Sequence, residues 1–297
     1  MGDEKNPEKD FEKEKKKKIE KEPEKQTKKA PKPKKKKKKG KAGFLFILLI
    51  LLAVICAGVY LLIPSKNRVS HNQYFGLEDD NQYGLIVNSE IVDITNGAPF
   101  EENGVWYLPF STLYYNISDA FYYDGLALLY TDPLQTYSAA PGESFYTDSD
   151  GIKYTLTYQP CYFKDGSLCI ALDYLKLMDY SYYTVDDTMK SIWVFNDWSK
   201  QPRTSLLKDT KARTQAGIKN DIVTSLATGD VVTVLEQGES WSRVQTQTGL
   251  VGYVQNKMLG EIKEEAKAVP DGRPLPKYTI IAMDEMVVMG WHQVFSE

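Results

Sequence analysis

Cysteine and histidine are scarce in this chain. Three Cys in 297 residues exclude a disulfide-dense scaffold and any all-Cys zinc site. The two His, taken with Cys161 and Cys169, show no recognised metal-ligand spacing. A phosphate-cradling glycine loop is missing, as are a Ser-His-Asp set with supporting context and paired carboxylates in a recognisable frame. No catalytic residue, metal or cofactor is therefore assigned. Basic side chains are few outside one tail. Behind a formal net charge of -3, residues 1–41 hold 19 Lys against 9 acidic residues, and the remainder holds 18 basic against 31 acidic. That split argues against a nucleic-acid binder, because the positive charge does not lie on a folded face.

What is present begins with residues 44–63, FLFILLILLAVICAGVYLLI, 20 residues without a charge. At the helical rise the run is about 30 Å long, the thickness of a bilayer's hydrocarbon core. A cleavable signal has a shorter apolar core and a shorter leader than the 43 residues found here. A lipoprotein anchor at Cys56 fails because Ile55 stands where a small residue is needed. The reading is an uncleaved signal-anchor, which excludes a soluble cytosolic enzyme. The lysines at 32–41 directly precede it, so the N-terminus is expected in the cytoplasm and residues 65–297 outside. Lys34, Lys35, Lys36, Lys37, Lys38 and Lys39 are expected to attract anionic inner-leaflet lipids. The Lys, Glu and Pro composition of residues 1–43 predicts disorder, since too little apolar surface is present to offset ordering entropy.

A linker is expected over 64–82, and a β-rich pattern follows over 83–200. Short runs at 85–87, 105–108 and 126–130 are punctuated by Asn96-Gly97, Asn103-Gly104 and Asp124-Gly125. The pattern recurs about 62 residues on, with ENGVWYLPFSTLYY from Glu102 answered by KDGSLCIALDYLKL from Lys164. Each half predicts a tight hairpin, a short helix capped by Ser111 or Asp173, and a closing strand. Two such units would share one sheet under two helices. Cys161 and Cys169 flank the second turn. A three-residue loop would let them face and pair, a two-residue loop would not, and free buried thiols are the expected state. Seventeen of the 20 Tyr lie between Tyr74 and Tyr183, either as half-buried strand residues or as a face that stacks on sugars. IVNSEIVDI, APFEENGVWYLPFSTL and the repeated half resemble the stalk domain at the N-terminus of copper amine oxidases. Pro109 fits the family's pattern, whereas Ala171 stands at the equivalent place in the second half. The resemblance implies a spacer or wall-associated module carrying neither copper nor quinone.

Residues 204–262 carry KART at 211–214, TGD at 228–230, WSRV at 241–244 and GLVGYV at 249–254. Val231, Thr233 and Leu235 alternate with Val232 and Val234, as on a half-buried barrel strand. This spacing resembles the bacterial SH3 domain, which implies a small β-barrel and contact with peptidoglycan or another wall glycan. Trp241 and Tyr253 match the family's aromatic positions, as core residues or as ligand contacts. Arg213 and Arg243 would meet wall carboxylates or lie solvated. The candidate binding residues are Trp241, Tyr253 and Arg243.

A charged, Pro-rich linker is expected over 263–277. The apolar run at 286–295 then reads as a strand buried on both faces, and the chain ends two residues later. MVVMGWHQVFSE is similar to the opening of glycoside hydrolase family 18 domains, implying the lone first strand of a truncated β/α barrel. The other reading packs this strand on the SH3-like barrel. The family's DxxDxDxE acid motif is absent, and neither Asp284-Glu285 nor Asp148-Ser-Asp150 replaces it, so Trp291 and His292 receive no catalytic role. The expected fold class is mainly β with some α. The expected protein is a membrane-anchored, noncatalytic wall binder; the alternative is the front of a chitinase-like hydrolase acting on N-acetylglucosamine glycans.

Overall fold

The computed structural model of the protein describes residues 41–95 and 97–275. The tail with Lys34 to Lys39, and the run at 278–297 with Trp291 and His292, lie outside the described residues. Helix α1 (Lys41–Leu62) starts three residues before the predicted boundary, because Lys41, Ala42 and Gly43 add a first turn. Its stretch Gly43–Leu62 is long and apolar enough to cross a membrane, and none of it is buried.

The segment at 64–82 is not a bare linker. It contains α2 (His71–Phe75), started by a capping box in which Ser70 Oγ accepts from Gln73 N and Gln73 reaches back to the Ser70 N–H. Strands β1 (Gly84–Val87) and β2 (Glu90–Val92) follow. The first hairpin is β3 (Phe100–Glu102) and β4 (Val105–Pro109), leading into α3 (Phe110–Asn116) and β5 (Phe121–Tyr123). A meander comes next: β6 (Leu128–Thr131), β7 (Thr136–Ala139), β8 (Phe145–Thr147) and β9 (Lys153–Thr155). The second hairpin is β10 (Cys161–Lys164) and β11 (Ser167–Ala171), followed by α4 (Leu172–Asp179), β12 (Tyr182–Asp186) and β13 (Ser191–Phe195).

Both hairpins turn on two residues with positive φ, Asn103-Gly104 and Asp165-Gly166. They pair through β4 and β11 into one sheet, in the order β10-β11-β4-β3. The closing strands do not join them, contrary to expectation. In the first half β5 is taken up by the inserted meander, giving a sheet β5-β6-β7-β8-β9. In the second half β12 pairs with β13, giving β12-β13-β1-β2. The predicted caps are also displaced. Each strand runs into its helix without a loop, so Pro109 and Ala171 occupy the cap positions with no side-chain bond, and Ser111 and Asp173 fall inside the first turn. Asp173 there accepts from Tyr183 Oη at 3.1 Å, and its charge suits the helix N-terminus.

Cys161 lies opposite Ile170 and Cys169 opposite Tyr162. The two-residue loop thus keeps the thiols apart, and both are free and buried. Burial pushes the Cys161 thiol up to about 12, so it stays protonated.

One core joins these three sheets, built on Leu108, Leu113, Phe121, Ile170, Leu175 and Ile192. Tyr174 is fully buried in it, and its hydroxyl has no hydrogen-bond partner among the described residues. An unpaired buried hydroxyl is unfavourable. Tyr174→Phe is therefore expected to raise stability by about 1 kcal/mol, seen as a higher urea midpoint with unchanged slope. A lower midpoint would reveal a partner for that oxygen.

The last sheet has seven strands. They are β14 (Lys200–Ser205), β15 (Thr210–Arg213), β16 (Ile222–Leu226), β17 (Val231–Gln237), β18 (Trp241–Gln245), β19 (Val251–Gln255) and β20 (Lys263–Ala266). Their order is β16-β15-β19-β18-β17-β14-β20. Val232, Val234, Val244 and Val254 point inward with Leu206, Ala212 and Leu259. Residues 263–266 form an edge strand on β14, where a linker was predicted; its exposed Lys and Glu side chains suit an edge.

A third cluster joins this barrel to the preceding sheets: Phe75, Ile86, Tyr182, Trp193, Phe195, Val223 and Leu250. Trp193 Nε1 donates to Asn88 O at 2.8 Å, and Tyr74 Oη donates to Val251 O at 2.9 Å while accepting from Val251 N at 2.7 Å. The chain leaving α1 is also paired with the barrel. Ser65 N donates to Ile218 O at 2.7 Å, Ile222 N to Asn67 O at 2.8 Å and Val69 N to Ile222 O at 3.0 Å.

Candidate functional site

Strand alternation decides which side chains of β18 and β19 reach solvent. Ser242 and Val244 are buried, whereas Trp241 and Arg243 are half-buried on the opposite face. On β19, Gly252 and Val254 are buried and Tyr253 is half-buried. The antiparallel register places Tyr253 directly across from Arg243. The three predicted residues thus share one face, with Trp241 two residues from Arg243 along the strand. Trp241 belongs to none of the buried clusters, so its core reading does not hold.

Arg243 and Tyr253 border a cleft of about 350 Å³. Its other wall is made by Tyr74, Gln73 and Ile91, from α2 and β2. Glu90 at the start of β2 approaches Arg243, with Oε1 3.6 Å from Nη2. The Glu90 side chain is 72% exposed, so the pair is weak and the guanidinium stays open to an incoming anion. Burial pushes the Tyr74 hydroxyl up to about 12, keeping it neutral between its two backbone partners. The cleft therefore offers one available cation, a phenol ring and an apolar floor, the set that suits a sugar ring bearing polar substituents.

Arg213 lies across from Tyr253 on β15 but is covered. It is 5% exposed and its Nη1 donates to the carbonyls of Ser65 and Asn220, so it holds the segment after α1 in place and meets neither solvent nor ligand. Asp148 is likewise occupied. Its Oδ1 accepts from Asp150 N and Ile152 N and its Oδ2 from Tyr154 Oη, which closes the β8–β9 turn. Among the described residues no group of three or more His, Cys, Asp or Glu is placed to hold a metal ion.

Short antiparallel strands with valines buried on one side agree with the SH3-like reading of the sequence. Residues 208–260 match the bacterial SH3 domain family. No curated protein and no solved structure matches the chain. The match covers strands β15 to β19, while β14 and β20 extend the SH3 domain's sheet beyond it. The amine-oxidase-stalk reading of 83–200 rests on sequence pattern alone. Sequence reasoning named Arg243 and Tyr253, which border the cleft, and did not name Tyr74, Gln73 and Ile91 on its other wall or Glu90 beside Arg243. The capping box at Ser70-x-x-Gln73 was the one local sign that this stretch was structured.

Proposed function

We propose that this chain is a single-pass membrane protein that binds cell-wall glycan through its SH3 domain, with α1 as the anchor and the N-terminus in the cytoplasm. In this reading Lys34 to Lys39 lie against anionic lipids of the inner leaflet, and residues 65–275 face the wall. The observation that carries it is the placement of Arg243 and Tyr253 as neighbours on the open face of a bacterial SH3 domain, beside a cleft of about 350 Å³. Arg243 would engage a carboxylate or sugar hydroxyl, Tyr253 would pack on the ring, and Trp241 would extend the surface. The role is binding, with no bond made or broken.

The test is sedimentation of the full chain, in detergent, with insoluble peptidoglycan. Arg243→Ala and Tyr253→Ala are each expected to lower the bound fraction about tenfold in affinity. Glu90→Ala should strengthen binding slightly by freeing Arg243. These side chains are half-exposed, so thermal unfolding should move little. Wild-type protein that stays in the supernatant, or a double variant that sediments like wild type, would refute the reading.

A further inference from the structure

A second cleft, of about 310 Å³, lies where the SH3 domain meets β13. Trp193 and Phe195 line it with rings stacked at 4.6 Å, and Val231 and Ala268 add apolar surface. Two cations point into it, Arg203 from β14 and Lys267 just past β20. The Lys267 Nζ lies 4.5 Å from the Trp193 ring centroid and 5.3 Å from that of Phe195. Neither cation forms an ion pair or donates a side-chain hydrogen bond among the described residues, and Arg203 Nε is buried with no partner. Asp197 is the acid whose charge reaches Lys267, but its oxygens accept from Ser199 N at 3.0 Å and Gln201 Nε2 at 2.8 Å.

Two like charges on an apolar wall, with no carboxylate between them, are unfavourable in the empty cleft. An anion seated there would relieve the repulsion and give both donors a partner. The fork of Arg203 suits two oxygens in a plane, as in a carboxylate. The mainly apolar lining suits a carboxylate carried on a ring better than a heavily hydrated phosphate. The size is at the lower limit of ligand pockets, that of one sugar unit. We propose that this junction cleft is a binding site for a sugar carboxylate, with Arg203 and Lys267 as its clamp and the Trp193–Phe195 pair as its apolar wall. Burial and the neighbouring Arg203 bring the Lys267 ammonium down to about 8, against the opposing pull of Asp197. The site uses none of the residues of the Arg243–Tyr253 face.

The probe is N-acetylmuramic acid, titrated calorimetrically into the full chain in detergent, with N-acetylglucosamine as the ring without the acid. Saturable binding of the first, at least tenfold tighter than of the second, is expected. Arg203→Gln and Lys267→Gln should each weaken it about tenfold, and Arg243→Gln should leave it unchanged. Both clamp variants remove unpaired charge, so their thermal unfolding should match or exceed wild type, which separates lost binding from lost fold. Absence of saturable binding, equal affinity for the two sugars, or clamp variants that bind like wild type would overturn the proposal. Tighter binding of D-alanyl-D-alanine or of glycerol 3-phosphate would reassign the cleft to a peptide terminus or a phosphate and overturn the sugar assignment. Loss of peptidoglycan sedimentation through Arg243 alone would leave this site standing.

Discussion

Alanine at Gly249 is expected to destabilise the protein by about 3–4 kcal/mol, against about 1 kcal/mol for alanine at Gly229. The two glycines have nearly the same backbone, φ +85° and +88°, so the cost of placing an L-residue in the left-handed region is common to both. At Gly229 an added Cβ meets nothing within 4 Å. At Gly249 it would lie 2.2 Å from Trp193 Cγ and 2.5 Å from Trp193 Cβ. The ring cannot step aside, because Nε1 is bound to Asn88 O and the indole is stacked on Phe195. Relief requires the SH3 domain to move off β13, opening the cluster of Phe75, Ile86, Val223 and Leu250. Chemical unfolding of the two variants side by side gives the difference directly. Equal losses would mean that Trp193 is not seated on Gly249.

Alkaline pH is the second large lever. Tyr74 is pushed up to about 12, and Tyr158, Tyr162, Tyr174 and Tyr183 are raised further, in every case chiefly by burial. An unfolded Tyr ionises near 10. Above that pH the unfolded chain releases protons that the folded chain retains, so the stability these rings contribute is complete below pH 10 and is lost as pH rises toward and beyond 12. Tyrosinate absorbance should lag at pH 10–11 and then rise together with loss of circular dichroism. A smooth titration near pH 10 in protein that keeps its dichroism would contradict the burial of these rings. Lys267 acts in the opposite sense. Its folded value is lowered from 10.5 to about 8, so over that window the unfolded state holds more protons and stability rises with pH. Cys161, raised from 9 to about 12 by burial, acts with the tyrosines and offsets this gain from about pH 9 upward, so Lys267→Gln should chiefly flatten the rise between about pH 8 and 9.

Features written in a few adjacent residues were legible in the sequence. Asn103-Gly104 and Asp165-Gly166 demanded tight turns, the uncharged run demanded a long apolar helix, and alternation from Val231 to Leu235 marked a half-buried strand without saying which set of side chains was buried. Features that depend on distant partners were not. Tyr74 finds Val251 across 177 residues, and Gln245 finds Asn88 across 157. Nothing local to Tyr74 or Glu90 points to an SH3 domain that follows so far along the chain. Arg213 illustrates the same difficulty. Within its strand it looks like a surface cation, and only the arrival of Ser65 turns it into a buried donor. The closing strands were misassigned because a hairpin-helix-strand unit does not specify which sheet edge will be free. The meander decided that for β5.

The pairing of residues 65–69 with the SH3 domain fixes how far that domain can reach. From Leu62, where α1 ends, to Ser65, the first paired residue, are three peptide steps, at most about 10 Å of chain. There is no slack to extend. Residues 63 and 64 are thus the whole link between α1 and the first hydrogen bond to the SH3 domain, and neither end can release more chain without breaking a helix turn or a β-type pair.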